Sequence, residues 1–167
     1  MQDAEFERLV RRHAQSVYAF LVYRTGDHHL ADDILADTLE RAYRSRGRFD
    51  RRRGSEKTWL MSIAVNRWRD LVRRSVTEQA AIATLGERGE PPPWVEAVED
   101  RRTLLAALAE LPADERDVVT LAYGADLSAK QVAAVLDLPL TTVHGRLYRG
   151  LERLRGTLAE HHSWQQS

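Results

Sequence analysis

The chain has 167 residues, enough for two small domains, and no cysteine, which excludes a disulfide framework and a thiolate metal site. A formal net charge of zero by itself argues against a nucleic-acid partner, but the charge is unevenly laid out: Arg41 to Arg74 carries a local net of +9, and Val76 to Asp100 a local net of −5. Nothing near the N-terminus resembles a signal peptide and no run is long and apolar enough to span a bilayer, so a soluble, cytoplasmic protein without membrane insertion is expected.

In chain order, Phe6, Leu9, Val10, His13, Val17, Phe20 and Leu21 recur three and four apart, the mark of an amphipathic helix. A second such pattern runs through Leu30, Ile34, Thr38 and Ala42, with Leu35, Leu39 and Tyr43 offset by one. An arginine-rich turn around Gly47 and Gly54 follows, and Ser55 is placed to cap a third helix carrying Trp59, Leu60, Ile63, Ala64, Leu71 and Val72 on one face. Periodicity then lapses through Gly86, Gly89 and the run Pro91, Pro92, Pro93, which reads as a flexible acidic linker with a stiff extended end.

Beyond Trp94, Val95, Val98, Leu105, Leu108 and Leu111 form an apolar stripe that stops at Pro112, and Val118, Val119, Leu121 and Ala122 form another that stops at Gly124. Ser128 with Gln131 three residues on, flanked by Leu127 and Val132, is a complete helix-start signal. Asp137 to Pro139 make a turn, after which Leu140, Val143, Leu147, Leu151 and Leu154 continue at helical spacing, giving a helix-turn-helix. The expected fold is all-α: a helical domain over 1–75, a linker over 76–93, a second helical domain over 94–158 and a tail over 159–167.

If Val143, Leu147, Leu151 and Leu154 face inward, Thr141, Thr142, His144, Gly145, Arg146 and Arg149 lie on the other faces near the helix start. A recognition helix presents that part to the major groove, with arginines bonding phosphates. Gly145 within a helix costs about 1 kcal/mol relative to alanine, and a close backbone approach to a groove is one reason to accept it.

Two stretches carry a family resemblance. LSAKQVAAVLDLPLTTVHGRLYRGLERLR is similar to the fourth region of extracytoplasmic-function sigma factors, initiation subunits of bacterial RNA polymerase. DHHLADDILADTLERAYRSRGRFDRRRGSEKTWLMSIAVNRWRDLVRR resembles their second region, including a W-L-x-x-I-A-x-N-x-x-x-D pattern. The resemblance spans nearly the whole chain and implies three partners: core RNA polymerase, promoter DNA and an anti-sigma factor. It also implies a non-enzymatic protein with no cofactor.

Carried over by position, the resemblance places Asp33, Leu35, Asp37 and Arg41 on a polymerase-clamp-docking helix. It places Arg48, Phe49, Asp50, Arg51, Arg52 and Arg53 in a loop that captures a flipped base of the minus-ten element, with Asn66, Arg67, Asp70, Arg73 and Arg74 on the helix beside it. Arginine and aromatic groups suit that task on their own chemistry, by stacking on a base and pairing with its phosphates. The second helix of the helix-turn-helix is implied to read the minus-thirty-five element. Trp59, on an apolar stripe, reads first as core. The linker is either a solvated spacer or, as in the family, an acidic segment threaded toward the RNA exit path. Glu56, Ala36, Asp137 and the pair His144-Gly145 depart from the family pattern and bear on promoter preference.

A free-standing helix-turn-helix regulator is the alternative, and a strand-bearing sensor domain would favour it. For an enzyme there is neither a phosphate-binding glycine loop nor a nucleophile motif, and His161-His162 lacks matching metal-ligand spacing.

Overall fold

The computed structural model describes the backbone of residues 1–79 and 99–165 and the side chains of residues 1–75 and 101–160. Among the described residues there are helices and turns and no strand. Helices α1 (Asp3–Thr25), α2 (His28–Ser45) and α3 (Glu56–Gln79) form the N-terminal unit. Helices α4 (Glu99–Glu110), α5 (Ala113–Val119), α6 (Ala129–Leu136) and α7 (Leu140–Gln165) form the second, with a π-helical turn over Thr120–Gly124 after α5.

Local chemistry sets the helix starts. Asp27 Oδ1 accepts the Leu30 N–H at 3.0 Å to open α2, and Ser55 Oγ accepts the Thr58 N–H at 3.1 Å to open α3. At α6 the Gln131 N–H donates to Ser128 Oγ at 3.2 Å while the Ser128 N–H donates to Gln131 Oε1 at 2.9 Å, the reciprocal box the spacing predicts. Asp137 ends α6 in the left-handed region at φ 53°, which a short polar side chain tolerates.

Several boundaries differ from expectation. Helix α3 continues to Gln79, past 75, because no Gly or Pro interrupts it there. The backbone stays helical to Gln165, where a tail from 159 was expected. The stripe ending at Gly124 is α-helical only to Val119 and π-helical from there; the Ala125 N–H bonds back to Thr120 O, five residues away, at 3.1 Å. The rest of the linker, residues 80–93, and the second-domain start at Trp94 lie outside the described residues.

The two units do not keep separate cores. One buried cluster runs from Phe6, Leu9, Val17, Phe20, Leu21, Ile34, Leu60 and Met61 into Val118, Leu121, Leu127, Val132 and Val143. Composition suggested two modest cores; burial of apolar area instead joins them, with α1 packing on the π-helical turn and α3 on α6. Gly124 permits this approach, since a Cβ there would stand 2.9 Å from Tyr23 Cδ2. Across the same junction the buried Arg24 guanidinium pairs with Asp117, lies 5.1 Å from the centre of the Trp68 ring, and shares Asp117 with Arg69 at 3.9 Å. A smaller cluster of Leu108, Leu111 and Val119 lies in the second unit, with Tyr23 of α1 packed against it.

Candidate nucleic-acid interface

The arginine-rich turn is built by a short 3-10 segment, Arg46–Arg48, and then by Asp50, whose Oδ1 accepts the Arg52 N–H at 2.9 Å and whose carbonyl accepts the Arg53 N–H at 3.0 Å. Asp50 thus shapes the loop from an exposed position. Arg48, Arg51, Arg52 and Arg53 are exposed, and half-buried Phe49 meets Trp59 with ring centres 5.1 Å apart at 48°. Trp59 therefore belongs partly to the core, as the stripe suggests, and partly to this surface.

Of these, Phe49, Arg51, Arg52 and Arg53 line an open basin of about 820 Å³ whose far wall comes from α1, through Arg12 and His13. Sequence reasoning missed both: His13 sits at a helical-stripe position and Arg12 beside it, and only the packing of α1 beside the loop brings them to it. Glu56 lies within the basin, 3.5 Å from an Arg51 Nη2 and 3.9 Å from His13 Nε2. Burial holds the His13 imidazole below the ordinary histidine value in spite of that carboxylate. Where a family pattern commonly has an aromatic residue, this chain has an acid that offsets part of the basin's charge.

On α3, Asn66, Arg73 and Arg74 are exposed. Arg67 is half-buried and pairs with Asp37 of α2. Asp37 also lies 3.3 Å from Arg41, and Arg41 lies 3.8 Å from Asp70, which accepts a bond from Arg73. That bond, followed by the Arg73 and Arg41 charges, holds the Asp70 carboxyl below the usual range. Residues expected to divide between polymerase and DNA thus form one ion network across α2 and α3. Asp33 is exposed and Leu35 half-buried on the same helix.

On α7 the stripe packs as expected at Val143, fully buried, with Leu147, Leu151 and Leu154 half-buried. Thr141 and His144 are exposed, Thr142 and Gly145 half-buried. A Cβ at Gly145 would meet the flexible Arg149 guanidinium, 3.3 Å away, whereas one at Gly150 would stand 2.8 Å from Val119 Cγ2, so Gly150 is the glycine that internal packing requires. Arg146 is half-buried and 3.2 Å from Asp114, while the exposed Arg149 lies 3.5 Å from Glu115. Tyr148, 69% exposed, projects one turn beyond His144 and was missed, although its i+4 spacing from His144 was legible. No group of three or more His, Asp or Glu side chains among the described residues could hold a metal ion.

Residues 9–77 match the sigma-70 region 2 family model, and residues 101–154 the sigma-70 region 4 model. The chain is 35% identical to the RNA polymerase sigma factor CarQ of Myxococcus xanthus, over 95% of this chain and 91% of CarQ. It is 31% identical to the ECF RNA polymerase sigma factor SigL of Mycobacterium tuberculosis, over 95% of this chain and 92% of SigL. The chain belongs to the ECF sigma factors. It is thereby a promoter-recognising subunit of RNA polymerase rather than a free-standing regulator. With the SigE of Mycolicibacterium smegmatis, an ECF sigma factor of greater length, identity is 34% and the match spans 63% of that protein.

Solved sigma-factor structures share the fold. RpoE of Bartonella quintana, in complex with the anti-sigma factor NepR, superposes with a TM-score of 0.78 at 23% identity, over 93% of this chain and 97% of that one. CnrH, in complex with the cytosolic domain of CnrY, gives 0.69 at 25% identity, over 95% and 90%. Among the described residues of this sigma factor, no helix is long and apolar enough to cross a membrane.

Proposed function

We infer that this sigma factor divides promoter recognition between two surfaces. The basin lined by Phe49, Arg51, Arg52 and Arg53, with Asp50 and Arg48 on the same turn and Asn66, Arg67, Asp70, Arg73 and Arg74 on α3, takes the unpaired strand of the minus-ten element. Thr141, Thr142, His144, Gly145, Arg146 and Arg149 of α7 meet the upstream element as duplex. The outer side of α2, through exposed Asp33 and half-buried Leu35 with the Asp37–Arg41 pair at its edge, docks on core polymerase.

The observation that carries this reading is that each unit matched to the family offers its own arginine-rich surface, and that the surfaces differ in kind. An open basin lined by the Phe49 ring, which rests on Trp59, and by Arg51, Arg52 and Arg53 suits an extruded base, whose face stacks and whose phosphate pairs with guanidinium. A helix with an exposed polar edge suits a groove. The units span 1–79 and 99–165 in the helical description, with the acidic segment between them as linker. The setting is cytoplasmic, the work is binding and strand separation without catalysis or a cofactor, and a partner of the kind seen with RpoE, an anti-sigma factor, is expected here as well.

The test is reconstitution with core RNA polymerase. Wild type co-elutes with the polymerase and directs promoter-specific transcripts. Asp33→Arg with Leu35→Ala abolishes co-elution, since a reversed interface charge costs several kcal/mol, with helical content retained. Arg51→Ala with Arg52→Ala slows open-complex formation more than initial promoter binding. Equal losses at both steps would move those arginines onto duplex phosphates.

A further inference from the structure

The arginine edge of α7 is closed on its α5 side. Arg146 Nη2 lies 3.2 Å from Asp114 Oδ2, and Glu115 reaches two further cations, with Oε1 3.5 Å from Arg149 Nε and Oε2 3.1 Å from Arg153 Nε. Glu115 is only 6% exposed, so its carboxylate lies beneath the helix rather than in solvent. Gly150 explains how an acid fits there: a Cβ at that position would stand 3.4 Å from Glu115 Cβ and 2.8 Å from Val119 Cγ2. Without a side chain at 150, α5 approaches closely enough to set one carboxylate between successive turns of α7. Two neighbouring acids thus engage three cations spaced three and four apart.

Resting on the reading that α7 meets duplex DNA, we propose that Asp114 and Glu115 are specificity-determining residues, which pair the arginine edge of α7 internally and so suppress its attraction to duplexes of arbitrary sequence. Phosphate attraction is sequence-independent and grows with the number of phosphates neutralised. A cation already paired within the protein adds to that number only if its carboxylate is displaced. The same pairing serves the fitting complex differently. A guanidinium held by a buried carboxylate has surrendered its rotamer freedom before DNA arrives, which lowers the ordering cost of the one docking geometry that matches. Arbitrary binding is weakened and fitting binding is spared, so the acids widen the gap between them.

The experiment uses the full chain as wild type, Asp114→Asn, Glu115→Gln and Arg149→Ala. Each is titrated with a scrambled duplex across potassium chloride concentrations and incubated with a random-sequence duplex pool that is sequenced before and after capture. Asp114→Asn, at an exposed position, steepens the log–log salt dependence by about one unit and tightens scrambled-duplex binding roughly eightfold at about 0.1 M salt, the value for one further phosphate. Its captured pool shows less sequence bias than that of wild type. Glu115→Gln acts in the same direction and more strongly, with thermal melting checking that the fold persists. An unchanged salt slope in both variants overturns the proposal, as does tighter binding with undiminished sequence bias. Arg149→Ala separates the two ideas: if it weakens duplex binding while the acid variants change nothing, only this proposal falls. If it too has no effect, α7 is not a DNA surface and the reading beneath the proposal falls with it.

Discussion

The two units carry their cations on different supports. In the N-terminal unit Arg51, Arg52 and Arg53 stand on a turn, exposed, with Glu56 and Glu5 at 3.5 and 4.0 Å from Arg51 as nearby acids. In the second unit Arg146, Arg149 and Arg153 stand on a helix edge, braced by Asp114 and the buried Glu115. A cation on a turn can follow a strand that has left its duplex, and a cation braced on a helix meets a rigid groove in a set geometry. The units also differ in what supports them. The first encloses Leu9, Val17, Phe20, Ile34 and Leu60 within three helices, whereas the helix-turn-helix residues Leu127, Val132 and Val143 join that same cluster. The helix-turn-helix therefore draws stability from the other unit.

The largest expected effect breaks that dependence. Asp117→Ala leaves buried Arg24 without its carboxylate and should cost about 3–5 kcal/mol, the usual penalty for stranding one partner of a buried pair. Adding Arg24→Met should recover most of it. Urea unfolding followed by circular dichroism measures both, and a shared core requires one transition for the wild type. Two separated transitions would show that the units hold their cores independently.

A pair of glycines sharpens the account of α7. Gly150→Ala forces a methyl group against Val119 and should destabilise by about 1–3 kcal/mol through overpacking, more than helix propensity returns. Gly145→Ala displaces an arginine tip instead and should stabilise by up to about 1 kcal/mol. Opposite signs in thermal or urea denaturation support the close α5–α7 approach; equal signs would refute it.

The smallest effect concerns pH and belongs to the N-terminal unit. Burial lowers the pKa values of both His13 and His28 from the ordinary histidine value. The unfolded chain then takes up protons first as pH falls, so their contribution is complete above about 6.5 and lost as pH drops through that value toward the folded-state values. The urea midpoint should fall between about pH 7.5 and 5.5, and His13→Gln with His28→Gln should flatten the slope. An unaltered slope would assign the pH response to other groups.

Much of this was legible in one dimension. Helix starts at Ser55 and Ser128 are local hydrogen-bond chemistry, readable from residues three apart, and the stripes through Val17, Ile34, Leu60 and Val143 are periodicity, which a helix converts directly into a buried face. The order of two family regions and the composition of the arginine turn were equally linear. What the sequence could not determine is which charges meet. Arg24 and Asp117 are 93 positions apart, Arg67 finds Asp37 across two helices, and Glu115 lies under Arg149 and Arg153 because Gly150 admits α5. Arg12 and His13 join the basin for a similar reason, since α1 packs beside the loop. Periodicity fixes which face of a helix is apolar, but pairing across helices depends on their spacing and rotation, and those are decided by how the buried side chains interlock in the shared core.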